Sequence, residues 1–275
     1  MTQATLPPSI GILVTGATGK MGREVVRLAL ETDGFELVGA VDHHHVGESV
    51  NQALGLALDA GRDVIISDSL ESVLKQSKPD VGVDFTNPEA VMPNVREMIE
   101  YGCRPVIGTS GFNDDTLDEL AQLLNEKQLG GMLVPNFAVG AVLMMMFAEK
   151  AAQYFEHAEI IEYHHNQKLD APSGTATHTL NKMAAARQGF NPSRVTETET
   201  LTGSRGGKHE SGLNVHSVRL PGLIAHQEVL LSDAGQMLTV RHDSWNRAGF
   251  MPGVALAVRH AMKSTGLTVG LDAIL

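Results

Sequence analysis

"ILVTGATGKMGREVV", Ile12–Val26, decides how the first half of the chain is read. Its opening residues are apolar throughout, and from Met21 onward apolar residues recur at helical spacing. Gly16, Gly19 and Gly22 sit where the two patterns meet. Glycine permits a tight turn and lets backbone approach a pyrophosphate closely, and the start of a helix offers amide hydrogens to the same anion. An acid is then expected about 20 residues on, at the end of a second strand, to bind ribose hydroxyls. "FELVGAVD", Phe35–Asp42, is such a strand and Asp42 closes it. Strand, turn, helix, strand and acid in register predict a dinucleotide-binding unit rather than a merely structural turn.

Further along, "DVIIS" (63–67), "VGVDFT" (81–86), "RPVIGTS" (104–110) and "GGMLVPN" (130–136) repeat the buried-strand pattern. The helical segments "LESVLKQS", "PEAVMPNVREMIEYG" and "DDTLDELAQLLNEKQ" lie between them. Apolar strands alternating with helices indicate a parallel sheet covered on both faces, a Rossmann-like doubly wound α/β domain. The pattern changes after Pro135-Asn136. A long helix ("VGAVLMMMFAEKAAQYF"), a strand ("AEIIEYHH") and another helix ("GTATHTLNKMAAARQ") come first. "LNVHSVRL", "AHQEVLLSD" and "QMLTVRHDS" follow as three strands, expected to form an antiparallel meander. The predicted organisation is a dinucleotide-binding domain of residues 1–136 and 246–275, the tail returning to it. A second α+β domain, with an antiparallel or mixed sheet, spans residues 137–245. Between its elements, Gln188–Ser211 is polar and turn-rich and reads as a long loop; its single "SRGGKHE" is not an RNA-binding repeat in a chain this acidic.

The formal net charge of −11 argues against a nucleic-acid or anionic-membrane partner, since no broad basic field compensates it. One cysteine, Cys103, rules out an internal disulfide and a multi-cysteine metal site, and fits a reducing compartment. Its setting, between "EYG" and "RPVIG", reads as core. No apolar run approaches the roughly 18 residues that a membrane helix needs, and "MTQATLPPSI" has no leader pattern. A cytoplasmic location is expected. The run His43-His44-His45 reads as a solvated loop; no metal site is predicted.

"IIEYHHNQKLDAPSGTATHTL", Ile160–Leu180, holds the densest group of protonatable side chains. Strand alternation sends Glu162 and His164 to one face and Tyr163 and His165 to the other. The following turn brings Lys168 back toward the strand end. Ser173, Gly174 and Thr175 form the cap and first turn of a helix, whose amides and positive dipole end make an anion site. Ser173 alone would be an ordinary cap and Lys168 an ordinary surface charge. Together, in a chain that binds a redox nucleotide, they predict a pocket for a carboxylate or phosphate with proton donors beside it.

"EYHHNQKLDAPSGTA" closely resembles the signature of the dihydrodipicolinate reductases of lysine biosynthesis. The resemblance runs through the chain: "GATGKMGREV" resembles the family's cofactor turn, "VDFTNPE" and "VIGTSGF" its strand-end loops, and "PNFAVGAVLMM" its interdomain crossover. It implies an NADPH- or NADH-dependent reduction, with loss of water, of the cyclic imine made from aspartate semialdehyde and pyruvate. His164 and Lys168 match the acid pair that protonates the atom made basic by hydride arrival. His165, Lys168, Ser173, Gly174, Thr175 and Ser110 match substrate contacts. Gly16, Ala17, Gly19, Lys20 and Met21 match the cofactor turn, and Asp42 the ribose acid with His43 beside it. Phe85, Thr86, Gly108, Thr109, Ser110, Pro135, Asn136 and Phe137 match loops around the nicotinamide, and Arg247 and Phe250 match positions that touch the cofactor or close the cleft. The resemblance also implies a homotetramer built through the second domain's sheet.

Departures from the family pattern are few. Lys20 and His43 stand where arginine is common, which leaves NADH against NADPH open. Ser110 replaces a threonine and keeps its hydroxyl, and Gln167 replaces a frequent histidine. Two other readings compete: another two-domain Rossmann dehydrogenase, and an NADP-binding redox-sensing regulator. A thioester-forming semialdehyde dehydrogenase would need a reactive cysteine, and a regulator would have no need of His164 and Lys168 together.

Overall fold

The computed structural model describes residues 9–56, 63–193 and 195–275. Residues 1–8, read above as carrying no leader, and Arg194 of the expected loop lie outside them. Two compact units divide the chain, residues 1–137 with 250–275, and residues 138–249. Arg247 therefore falls in the second unit and Phe250 in the first.

The first unit begins β1 (Ile10–Thr15), α1 (Gly22–Glu31), β2 (Phe35–Val41), α2 (Val50–Leu54), β3 (Ile66–Ser67) and α3 (Leu70–Ser77). It continues with β4 (Val81–Asp84), α4 (Val91–Glu100), β5 (Arg104–Ile107), α5 (Asp114–Lys127) and β6 (Gly130–Leu133). The second unit holds α6 (Val139–Ala152), β7 (His157–His164), α7 (Gly174–Ala186), β8 (Gly207–Lys208), β9 (Asn214–Arg219), β10 (Ala225–Asp233) and β11 (Gln236–Ser244). After a 3₁₀ turn at Arg247–Phe250, the chain re-enters the first unit as α8 (Met251–Ala261) and β12 (Gly266–Val269).

The first sheet runs β12-β6-β5-β4-β1-β2-β3, with every pair parallel. Its first six strands from β3 to β6 keep the dinucleotide-fold order, and the tail adds a seventh. β4 and β6 are buried at every position, as a sheet covered on both faces requires. Side-chain caps start three helices of this unit: Ser49 on α2, Ser69 on α3, and Asn113 on α5 in a reciprocal box with Thr116. Val95, Ile99, Leu120 and Leu124 pack one core cluster between α4, α5 and the sheet.

The second sheet runs β11-β10-β7-β9-β8 and is mixed. The antiparallel meander expected of β9, β10 and β11 is corrected here. β10 and β11 do form a hairpin, but β7 lies between β9 and β10, parallel to β9 and antiparallel to β10. Polar side-chain pairs join β7 to β9. Glu159 and Glu162 of β7 meet His216 and Arg219 of β9, and such cross-strand pairs help select register. The segment Leu220–Ile224 then crosses the end of β7, where the Leu220 amide donates to the His164 carbonyl. Ala158, Ile160 and Glu162 alternate as the buried positions of β7. Ile160 joins Ala148, Leu180, Met183, Val215, Val229 and Leu231 in the unit's core. Glu162 thus occupies a core-facing position with a carboxylate.

Candidate active site

In the first unit the glycine turn follows β1. Gly16 adopts φ +72°, and a Cβ there would lie 2.6 Å from the Phe85 carbonyl oxygen. A Cβ on Gly22 would lie 1.9 Å from the Gly16 carbonyl oxygen, so only glycine lets α1 start this close to the strand. Asp42, just past β2, is turned onto this loop: its Oδ2 accepts from the Thr18 amide and hydroxyl at 2.9 Å each, and its Oδ1 from the His44 amide at 3.0 Å. Burial alone would raise the Asp42 carboxyl, but these donors outweigh it and leave its pKa lowered. Ala17 is buried, Met21 half-buried, and Gly19, Lys20 and His43 lie at or near the surface.

The loops after β4, β5 and β6 converge on the same edge. A Cβ on Gly108 would fall 2.1 Å from the Phe85 ring, and the Phe85 and Phe137 rings pack at 5.5 Å. One residue organises this edge that the sequence reading quoted but did not single out. Asp84 is fully buried at the end of β4. Its Oδ1 accepts from the Thr86 amide (3.1 Å), the Thr86 hydroxyl (2.8 Å) and the Thr109 hydroxyl (2.7 Å). Its Oδ2 accepts from the Thr15 hydroxyl (2.7 Å) and the Asn94 side-chain amide (2.9 Å). One carboxylate therefore fixes the ends of β1 and β4, the loop after β5, and α4. Ser110 and Pro135 are exposed and Asn136 is half-buried nearby in sequence.

In the second unit Glu162 is the hub. Its side chain is 0% exposed. Arg219 grips it with two parallel bonds, one guanidinium nitrogen to Oε1 at 2.7 Å and the other to Oε2 at 2.8 Å. Nδ1 of His164 lies 2.5 Å from Oε2, and the Ser173 amide donates to Oε1 at 3.2 Å. Burial alone would raise this carboxyl. Hydrogen bonds from His164 and Arg219 outweigh it and hold its pKa at about 2. Arg219 also donates to the Asp170 carbonyl at 2.8 Å, which pins the loop between β7 and α7.

Ser173 caps α7, its hydroxyl accepting from the Ala176 amide at 3.2 Å. Gly174 is exposed, a Cβ there would have no heavy atom within 4 Å beyond its chain neighbours and its own helix backbone, and Thr175 is half-buried. The Lys168 amide closes a turn onto the His165 carbonyl, as the sequence predicts. Its ammonium donates to Asp170 Oδ1 at 2.7 Å, and that bond leads the causes that lower the Asp170 carboxyl. His165 is exposed just past β7. The structure thus joins His164 and Ser173 through Glu162, and sets Lys168 on the intervening loop.

Two family models, described as dihydrodipicolinate reductase N-terminus and C-terminus, match residues 10–137 and 140–275. The chain belongs to the dihydrodipicolinate reductase family. It is 48% identical to the 4-hydroxy-tetrahydrodipicolinate reductase of Enterococcus faecalis over 97% of this chain and all of that one. The corresponding protein of Thermosynechococcus vestitus is 45% identical, with 100% of each chain covered. Among solved structures, a dipicolinate-bound dihydrodipicolinate reductase from Paenisporosarcina sp. TG-14 superposes with a TM-score of 0.86 at 43% identity, covering 97% of this chain and 100% of that one. Membership in the dihydrodipicolinate reductase family makes the chain an oxidoreductase of the pyridine-nucleotide-dependent class, on the Rossmann fold seen here.

Within that family frame Cys103 carries no thioester chemistry. It is fully buried, and burial first, then Asp80, push its thiol far above the ordinary range. No group of three or more His, Cys, Asp or Glu among the described residues is placed to hold a metal ion. No helix among them is long and apolar enough to cross a membrane.

Proposed function

We propose that the chain reduces 4-hydroxy-tetrahydrodipicolinate, with loss of water, to tetrahydrodipicolinate in the diaminopimelate route to lysine, using NADPH or NADH. The observation that carries this is the meeting of His164 with the capped start of α7 on one buried carboxylate. The substrate is a ring dicarboxylate. A helix start with Ser173, Gly174 and Thr175 suits one carboxylate, and His165 and Lys168 of the same unit offer further donors. Gly174, exposed at that helix start, puts no side chain in the way. The dipicolinate held by the Paenisporosarcina protein is itself a planar dicarboxylate.

The nicotinamide supplies hydride. His164, and Lys168 once its contact with Asp170 gives way to the ligand, supply the proton to the atom that becomes basic. Such acid help is worth ~10²- to 10⁴-fold. The Gly16–Gly22 turn would hold the dinucleotide, with Asp42 for its ribose and Phe85, Thr86, Gly108, Thr109, Asn136, Phe137 and Phe250 for its nicotinamide end. Ionised Asp42 favours NADH by repelling a 2′-phosphate, and Lys20 favours NADPH by attracting one. The second unit's sheet supports a homotetramer: Met237, Leu238 and Trp245, on or just after its edge strand β11, are 68%, 39% and 74% exposed. A cytoplasmic site of action fits a biosynthetic enzyme with a single, buried thiol.

The test is to add freshly generated hydroxy-imine to the purified protein with NADH or NADPH and follow loss of reduced-nicotinamide absorbance. Turnover with at least one cofactor is expected; none with either would end the reading.

A further inference from the structure

We propose that Glu162 is the positioning residue of the proton donor: it fixes which nitrogen of His164 exchanges the proton and holds that donor at a set distance from the anion-binding start of α7. The inference rests on the proposed reaction and adds to it a residue that never touches substrate. Glu162 is locked on every side. Arg219 bonds both oxygens, so the carboxylate cannot rotate without breaking a bidentate contact. Paired this way, it stays ionised across the working pH range, and an ionised carboxylate only accepts hydrogen bonds. The 2.5 Å contact therefore requires a proton on Nδ1 of His164. Nε2 is left as the nitrogen that gives the proton up and takes it back. The other oxygen holds the Ser173 amide, one residue before the helix turn that would receive the substrate carboxylate. Proton donor and anion site thus hang from two oxygens of one rigid group, the preorganisation that proximity effects demand.

The experiment has two arms on the full-length enzyme. Nitrogen-15 NMR of the histidine side chains in the unsubstituted protein, with His164 assigned by loss of its signals in His164→Gln, reads the tautomer directly. In the neutral imidazole Nδ1–H is expected, and an Nε2–H tautomer overturns the proposal. Kinetics of Glu162→Gln form the second arm. A carboxamide can turn its NH₂ toward Nδ1 and reverse the tautomer, so kcat falls ~10²-fold, the low end of the value of a positioned acid. The dissociation constant for the dinucleotide stays unchanged, and the NMR signature moves to Nε2–H. His164→Gln runs alongside. Should His164→Gln keep full activity, the reaction assignment itself fails. Should it lose activity while Glu162→Gln keeps both kcat and the tautomer, only the role of Glu162 fails. If Glu162→Gln does not fold, the NMR arm still decides.

Discussion

Each unit of this molecule is organised around one buried carboxylate, and the two are satisfied in opposite ways. Asp84 receives five hydrogen bonds, all from neutral donors: three threonine hydroxyls, one backbone amide and one asparagine. Glu162 receives a charged guanidinium, an imidazole, one backbone amide and the Ser217 hydroxyl. A carboxylate among hydroxyls and amides ties loops together and has no titrating neighbour through which to act on chemistry. A carboxylate shared between an arginine and a histidine is coupled to a proton. The arginine cancels its charge and keeps it ionised, and the histidine converts its position into an acid's orientation. Asp84 is thus the clamp of the strand-end loops proposed to hold the cofactor, and Glu162 the mount of the proposed acid.

The comparison breaks first, and hardest, at His164. His164→Gln should lower kcat ~10²- to 10⁴-fold while dinucleotide binding, measured by fluorescence titration, stays at its native value. Loss of both together would show that the second unit's carboxylate is as architectural as the first's.

Acid unfolding sharpens the contrast next. The carboxyl of Glu162 has a folded-state pKa of about 2 against an ordinary 4.5. The unfolded chain therefore binds this proton first, and the stabilisation is complete above pH 4.5 and drains away as pH falls toward 2. The full linkage is about 3 kcal/mol, of which about 2 kcal/mol is gone by pH 3. Urea unfolding at pH 7 and pH 3 should show the wild-type chain losing that much more than Glu162→Gln; parallel losses in both would remove the ion pair from the account.

Asp84→Asn tests the clamp. The amide presents donors where the carboxylate only accepted. Thr15 can rotate and Asn94 can turn over its amide, so part of the network re-forms and the expected cost is ~1–3 kcal/mol of stability. The Thr86 and Thr109 loops loosen with it, and dinucleotide affinity should weaken while the kcat of saturated enzyme changes little. A kcat loss as deep as that of Glu162→Gln would erase the distinction between the two carboxylates.

Neither carboxylate's role was legible in the sequence, although both residues stand inside motifs that were. Strands, helices and the glycine turn follow from local periodicity, and the His164-to-Thr175 segment carries its donors within a dozen residues. The partners of the hubs are distant: Arg219 is 57 residues from Glu162, and Thr15 is 69 from Asp84. Local pattern ranks a strand as buried without saying which strand lies beside it. The expected meander failed for this reason, since β9 takes β7 rather than β10 as its neighbour. One signal was available. In "HAEIIEYH" the buried period runs Ala158, Ile160, Glu162, and an acid in a core-facing slot demands a buried cation elsewhere. Arg219, closing a strand of its own, was the basic residue to look for.

The smallest effect concerns glycines, and it separates the units once more. In the first unit Gly16, Gly22 and Gly108 serve the fold, since a Cβ at each would meet backbone or ring atoms at 2.6, 1.9 and 2.1 Å. Gly174 differs: its φ lies outside the left-handed region, and a Cβ there would meet nothing beyond its chain neighbours and its own helix backbone. Alanine at that position should therefore leave the melting temperature unchanged or slightly raised, because glycine in a helix costs about 0.5–1 kcal/mol relative to alanine. If the first turn of α7 receives the substrate carboxylate, the added methyl stands in the approach, and KM should rise about tenfold, or about 1.4 kcal/mol. With kcat and dinucleotide binding preserved, that pattern would mean Gly174 is kept for the ligand and not for the chain. An unchanged KM would move the dicarboxylate away from α7 and leave His164 mounted beside an unused helix start.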